Sequence, residues 1–266
     1  MAVVQAPRAL RTTGTVGRIP YLNCVPFFAG LTLESGWDVV DVSPRQLGQM
    51  AQAGGVAAGP LSLVDYVRLE DRFERLGPLG VAVRGRAGSA MVFSRKPIRQ
   101  LDGSTIVVTD ETSTTALLLR LLLKVRYNLQ VVITPSRQPT QQDAEAVLLI
   151  GDEALRFQAV NRRYPFETDV AFEWWLWQHQ PFVFAVWAVR RDLEPQDKRQ
   201  LSVAVQRTLA VNLRRLDDLV VQPSASLQLP AEELRRYLGH FIYRLSAKEE
   251  QAIQQFSRLI HEHRLL

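Results

Sequence analysis

The segment 104–136 constrains this chain most. It reads "STIVVTD", then "ETSTTALLLRLLLKVRY", then "QVVITPS". The outer pieces are short runs rich in β-branched residues and predict strands. The middle piece predicts a helix. A strand, a helix and a strand in that order make a βαβ unit, which needs a parallel sheet to belong to.

The same alternation extends in both directions. "GRIPYLNCVPFF" opens as a strand and turns between Asn23 and Pro26, with Pro20 and Pro26 each expected to hold the preceding residue extended. "WDVVDV" is a strand. "SPRQLGQMAQAGG" is a helix with Ser43 as N-cap, Pro44 at its first position, Gln46 completing a capping box and Gly54–Gly55 as the stop. "VAAGPLSLVDYVRLE" reads as strand, loop and helix start, and "FERLGPLGVAVRG" and "SAMVFSR" as successive strands. "AEAVLLIGDEALRFQ" is strand, tight turn and helix, and "FVFAVWAVRR" a long apolar strand. From 195 onward the pattern is helical: "DKRQLSVAVQRTLAVNLRRLDDL", "AEELRRYLGHF" and "SAKEEQAIQQFSRLIHEH", the last with Ser246 and Glu249 in a second capping box. The class is α/β. The expected division is a loose N-terminal arm over 1–16, a discontinuous first domain over 17–96 and 183–266, and a second domain over 97–182; a single α/β sheet is the competing arrangement.

Several function classes fall away. The net charge is only +5 and its basic residues are scattered, without the dense tract of a nucleic-acid binder. One cysteine excludes an intrachain disulfide. The four histidines form no HExxH or His/Cys cluster, so no metal is expected. No stretch has the length of a membrane span, and the start lacks the apolar core of a secretory signal, so no membrane partner and a cytoplasmic location are expected. Walker, GxSxG and post-strand GxGxxG patterns are absent, which removes the strongest nucleotide and hydrolase signals without excluding those activities.

What remains is a set of hydroxyls and amides. Asn23 and Cys24 sit inside an otherwise apolar run. A buried amide is costly without partners, so Asn23 is a satisfied core amide, a turn former or a group kept for a ligand; Cys24 reads as a small buried hydrophobe. In "DETSTTAL", Thr112, Ser113, Thr114 and Thr115 stand where a strand gives way to a helix. Free N–H groups at such a start bind carboxylate or phosphate, and the hydroxyls add donors; a plain N-cap is the alternative. Gly151 and Asp152 follow the strand "LLI", where Asp152 either favours the helix start or fixes a loop beside a site. Ser62 and Ser89 follow strands or turns and point into a cleft or serve as turn hydroxyls. "TDVAFEWWLWQHQPFVFAVW" holds four of the five tryptophans and reads as an apolar wall or a cover for a ring-shaped ligand, with His179 polar or structural. Such a site suits an oxygen-rich anion, bound either by a binding protein or by a lyase.

Together the segments "GRIPYLNCVPFF", "GPLSLVDY", "GSAMVFSRKPI", "LDGSTIVVTDETSTTALLLR", "LLIGDEAL", "PFVFAVWAVRR" and "YLGHFIYRLSAKEEQAIQQF" resemble the chorismate dehydratases of the futalosine route to menaquinone, the MqnA family, over about residues 17–260. The resemblance implies a two-lobed fold of the type II periplasmic binding protein kind, acting in the cytoplasm. It implies elimination of water from chorismate, a dicarboxylate, to give 3-[(1-carboxyvinyl)oxy]benzoate, without redox cofactor or metal. It carries the catalytic asparagine onto Asn23 and a catalytic serine onto Ser89. It assigns substrate binding to Ser62, Thr112, Ser113 and Thr114, with Asp152 beside them. Two departures are visible: "PLSLVDY" where relatives tend to have a double serine, and "QHQPFVF" where they tend to have "TGLPFVF", so that His179 and Gln180 are particular to this chain. The family offers the substrate's own enolpyruvyl carboxylate as the proton acceptor, with a protein group or water as the alternative. Competing functions are a non-catalytic cytoplasmic binding protein for a small aromatic carboxylate and the sister enzyme that cleaves cyclic dehypoxanthine futalosine, whose "CPND"-like element and histidine are not found at 20–26. A homodimer is left open.

Overall fold

The computed structural model describes residues 14–266. The arm expected over 1–16 lies outside the described residues up to position 13; residues 14–16 belong to the first strand. In chain order the elements are β1 (Gly14–Arg18), α1 (Val25–Phe28), β2 (Trp37–Asp41), α2 (Pro44–Ala53), β3 (Ala58–Ser62), α3 (Leu63–Arg68), β4 (Phe73–Val83), β5 (Ala90–Ser94), β6 (Thr105–Thr109), α4 (Thr114–Leu121), β7 (Val132–Ser136), β8 (Ala146–Ile150), α5 (Gly151–Val160), β9 (Phe166–Asp169), α6 (Val170–Gln178), β10 (Phe182–Arg190), α7 (Pro195–Asn212), α8 (Leu216–Leu227), α9 (Ala231–Gly239), β11 (Phe241–Arg244) and α10 (Ala247–Glu262).

The strands form two sheets. One has the order β11-β4-β10-β3-β1-β2, the other β7-β6-β8-β5-β9. In the first, β1 runs parallel to β2 and β3, and β10 runs antiparallel to β3 and β4. In the second, β6 runs parallel to β7 and β8, and β5 antiparallel to β8 and β9. The central strands are apolar throughout because helices or loops cover both faces: every residue of β3, β5 and β8 is buried. The edge strands β2 and β7 are largely open.

The sheets correct the expected boundary. β5 does not continue the sheet of β4; it pairs with β8 and β9, so residues 90–94 belong with the second sheet rather than with 17–96. The chain passes between sheets at 84–89 and returns through α6 and the turn before β10. The β6–α4–β7 unit is present, and its helix widens into a π-type turn over Leu122–Arg126.

Both expected capping boxes form. Ser43 accepts from the Gln46 N–H while the Gln46 side chain accepts from the Ser43 N–H, and Gly54 ends α2 in the left-handed region at φ +80°. Ser246 and Glu249 do the same for α10. Other details differ. Val25 precedes Pro26 yet is helical, at φ −50° and ψ −39°. Pro26 stands in the first turn of α1, where its missing N–H is not needed. The segment read as one helix over 197–219 breaks after Asn212, whose side-chain amide donates to Pro26 O and Ala29 O and ties α7 to α1. "FIYR" is the edge strand β11, held antiparallel to β4.

The aromatic stretch is mostly wall. Trp174, Phe182 and Phe256 pack edge-to-face with centroids 5.2–5.8 Å apart, joining α6, β10 and α10, and the Trp174 indole N–H donates to Pro181 O. His179 is exposed and ends α6 at φ +55°, as a surface turn.

Candidate active site

In open α/β sheets ligands bind beyond the carboxyl ends of the parallel strands, where the strand order reverses. Both sheets have such a reversal, at β1 between β2 and β3 and at β6 between β7 and β8. The loops that leave β1, β3, β6 and β8 meet around one cavity, a concave site of the kind that takes small molecules.

Each wall comes from a different strand end. β1 supplies Ile19, Tyr21, Asn23 and Cys24; β3 ends in Ser62; Thr112, Ser113, Thr114 and Thr115 follow β6; Ile150 and Gly151 close β8. Because β5 is antiparallel to β8, its start lies beside the end of β8, and so Ser89 and Ala90 enter the same space. Pro44, Val81 and the β10 residues Phe184 and Ala185 complete it, and Phe184 is the one aromatic residue of the tryptophan-rich stretch on its wall.

The structure therefore brings six of the seven sequence-derived candidates together: Asn23, Ser62, Ser89, Thr112, Ser113 and Thr114. The Asn23 Oδ1 atom is buried with no hydrogen-bond partner. A buried carbonyl without a donor costs about 1–3 kcal/mol, so this amide is not a satisfied core group; it sits in the single turn Leu22–Cys24 on the cavity wall, with its acceptor unused. The start of α4 is open as well. Its first intrahelical bond runs from Leu117 N–H to Ser113 O, which leaves the N–H groups of Thr114, Thr115 and Ala116 ahead of the ladder. The Thr114 hydroxyl accepts from Val64 N–H at 3.1 Å, which joins α4 to α3 and leaves its own hydrogen to donate.

Two candidates that the resemblance assigned to substrate binding have partners within the protein instead. Ser62 is the N-cap of α3: its hydroxyl donates to Asp65 at 2.6 Å and accepts from Asp65 N–H, so its hydrogen is not free for a ligand. Asp152 does not line the cavity. Its Oδ1 accepts from Leu22 N–H at 2.9 Å, fixing the turn that carries Asn23. Burial holds the Asp152 carboxyl above the usual carboxylate range, against the lowering effect of the Leu22 bond.

Other contributors are not evident from sequence. Tyr21 lies on Gly151, at φ +58°, where a Cβ would stand 2.6 Å from the ring, and its hydroxyl donates to Glu111. Asp169 caps α6 through Ala171 and Phe172 and also accepts from Ala87 and Gly88 N–H at 2.8 and 2.7 Å, which fixes the turn before Ser89. Its place before an apolar helix is a readable N-cap signal; the link to Gly88, 81 residues away, is not. Ser89 Oγ lies 2.8 Å from the hydroxyl of Tyr237 on α9.

Among the described residues no Asp, Glu, His, Lys or Arg lines the cavity. The lining groups that titrate are Tyr21 and Cys24. Burial and the bond to Glu111 raise the tyrosine, and burial pushes the Cys24 thiol up to about 12. Both are neutral near pH 7, so the wall offers hydrogen bonds and no acid–base pair. No group of three or more His, Cys, Asp or Glu that suits a metal occurs among the described residues.

Comparison with known proteins bears on this geometry. A family model described as menaquinone biosynthesis matches residues 14–262. The chain belongs to that family. A chorismate dehydratase from Thermus thermophilus is 28% identical over 260 residues, covering 90% of this chain and 92% of that protein. Among solved structures, protein AF1704 from Archaeoglobus fulgidus matches with a TM-score of 0.78 at 18% identity, over 95% of this chain and 98% of that one. The periplasmic aliphatic sulphonate binding protein SsuA from Escherichia coli matches with 0.61 at 15% identity, over 98% and 94%. The menaquinone-family chain thus has the two-sheet α/β fold of periplasmic binding proteins, and no helix among its described residues is long and apolar enough to cross a membrane.

Proposed function

We propose that this family member is a chorismate dehydratase, a carbon–oxygen lyase that eliminates water from chorismate to give 3-[(1-carboxyvinyl)oxy]benzoate in menaquinone biosynthesis. The relative from Thermus thermophilus carries that name. The observation that carries the reading is a cavity that joins an open asparagine carbonyl, a serine and an open helix start, with no acid–base side chain on its wall.

The substrate is a dianion. Its ring carboxylate is received by the N–H groups that begin α4, with the Thr112, Ser113 and Thr114 hydroxyls around them; an anion there is favoured by the helix dipole without any cation. Asn23 and Ser89 are the catalytic residues at the reacting end. The substrate's enolpyruvyl carboxylate takes the proton from the ring carbon that bears the ether. The C–H electron pair becomes the new ring double bond, and the neighbouring C–O pair leaves with the oxygen. The Ser89 hydroxyl donates a hydrogen bond to the departing oxygen, which collects the abstracted proton and leaves as water, so the carboxylate is restored. The protein contributes orientation and fixed dipoles in a dry space. Ring aromatisation drives the step forward.

The two sheets act as lobes of this site, one built from 14–83 and 182–266 and the other around 90–169, and the enzyme works in the cytoplasm. Purified protein mixed with chorismate tests the assignment: a new aromatic absorbance and a product lighter by one water are expected. Saturable chorismate binding with no product would refute it and leave a binding protein of the same fold.

A further inference from the structure

Ser89 is held on every side but one by its backbone. Asp169 fixes the two residues before it, and its carbonyl accepts from Gly151 N–H at 2.8 Å. The remaining freedom is the hydroxyl rotor. The Tyr237 hydroxyl stands 2.8 Å from it, and both residues are buried, at 5% and 6% exposure. Ser89 lines the cavity; Tyr237 does not. The phenol ring is fixed behind it, edge-on to Phe241 with centroids 5.0 Å apart and close over Gly88, where a Cβ would be 3.7 Å from the ring.

Either hydroxyl can be the donor in this pair; the substrate decides between them. Among the described residues the Tyr237 hydroxyl has Ser89 as its sole hydrogen-bond partner. A buried O–H without an acceptor is costly, so once the leaving oxygen accepts from the serine, the phenol hydrogen goes to Ser89 Oγ. The serine's own hydrogen is then turned away from the tyrosine, toward the cavity. Burial raises the phenol well above its usual range, so it remains a donor at any working pH.

We infer that Tyr237 is a positioning residue for the dehydration: its phenol donates to Ser89 Oγ and thereby aims the serine hydrogen at the leaving oxygen. This rests on the chorismate dehydratase reading. Donors in such a chain polarise one another, so the serine becomes a stronger donor than it is alone. The helix α9 thus contributes to the reaction through a residue that the substrate never touches.

The test is steady-state kinetics with chorismate on the wild type, Tyr237→Phe, Ser89→Ala and the double variant. Tyr237→Phe keeps the ring and removes one oxygen. It is expected to lower kcat about ten- to a hundredfold, below the roughly hundred- to thousandfold scale for loss of a directly aimed donor because it acts through the serine, with KM changed by less than about threefold. The double variant is expected to match Ser89→Ala alone, because the tyrosine acts only through the serine. Turnover of Tyr237→Phe within twofold of wild type, independent losses that multiply in the double variant, or full turnover by Ser89→Ala would each overturn the inference. A loss in Tyr237→Phe matched by an equal loss of native near-UV circular dichroism would also overturn it, as a packing role. Ser89→Cys leaves the tyrosine untouched and replaces the hydroxyl by a weak donor and acceptor; it is expected to fall with Ser89→Ala, and full turnover would count against the serine and tyrosine together. Wild-type protein that leaves chorismate unchanged refutes the functional reading, and the tyrosine's role falls with it; an active wild type with an unaffected Tyr237→Phe refutes the tyrosine alone.

Discussion

Replacing Gly151 by alanine should damage both stability and turnover through one contact. Gly151 has φ +58°, and a Cβ built there lies 2.6 Å from Tyr21 Cδ2 and 2.9 Å from Cε2 and Cγ. The left-handed conformation costs an L-residue about 1–2 kcal/mol. Forcing an extra methyl against a packed ring costs about 1–3 kcal/mol more. A total of about 3 kcal/mol corresponds to a drop in melting temperature of roughly 6–12 °C for a chain of this size. If the ring swings aside, the overpacking cost falls, but Tyr21 leaves Glu111 and the cavity wall loses its cover next to Asn23. Turnover therefore falls in either case, by more than about tenfold. Calorimetry and the chorismate assay on the same preparation measure the two effects. An alanine variant that melts within 1 °C or so of wild type and turns over normally would refute the account of Tyr21 seated on Gly151.

Three further outcomes are expected. Asn23→Ala removes a buried carbonyl that has no partner, so its melting temperature should stay within about 3 °C of wild type while turnover falls more than about a hundredfold; a variant that keeps its activity would withdraw Asn23 from the reaction. Asp152→Asn keeps an acceptor for Leu22 N–H but removes the charge. Because burial raises the Asp152 carboxyl, the folded state binds its proton more tightly than the unfolded state, and stability from this group falls as pH rises from its unfolded value through its folded value. The asparagine variant should therefore gain on wild type in urea midpoint at pH 8 relative to pH 3, and an equal difference at both would refute the linkage. Since Cys24 titrates only at about 12 and Tyr21 is raised as well, kcat/KM should stay flat between about pH 6 and 9; a bell-shaped profile in that window would reveal a protein acid or base.

Much of the framework is legible in the sequence because it rests on local chemistry. Ser43 with Gln46 and Ser246 with Glu249 form their capping boxes as spacing alone requires. The strand ends at Thr109 and Ile150 are followed by helices that open on the cavity. What the sequence conceals depends on partners far along the chain. "SAMVFSR" reads as a strand wherever it goes; only its ladder with β8 and β9 places it in the second sheet. "FIYR" is short enough to pass for a helix–helix link, and becomes a strand because β4 is long enough to pair with it at Phe241–Val83. Val25 is helical before a proline because Asn212, on α7, holds the carbonyls of Pro26 and Ala29. Tyr237 shares an apolar helix face with Leu234 and Leu238, all buried, so nothing local separates its hydroxyl from ordinary core.

The site also shows a division of labour between charged and neutral groups. Four carboxylates surround the cavity without lining it, and each holds a segment that does. Asp152 holds Leu22, next to Asn23; Asp169 holds Ala87 and Gly88, next to Ser89; Asp65 holds the Ser62 hydroxyl; Glu111 holds the Tyr21 hydroxyl. A carboxylate facing the substrate would repel a dianion, and one buried without donors would cost several kcal/mol. Turned outward onto backbone N–H and hydroxyl donors, the same groups fix the walls while the neutral amide and hydroxyls face inward. Gly48 belongs to this layer: a Cβ there would stand 2.4 Å from Asp65 Oδ2, so the helix α2 approaches α3 only because that position lacks a side chain. The supports are therefore as necessary to the proposed chemistry as the lining, and their loss should displace the catalytic groups rather than delete them.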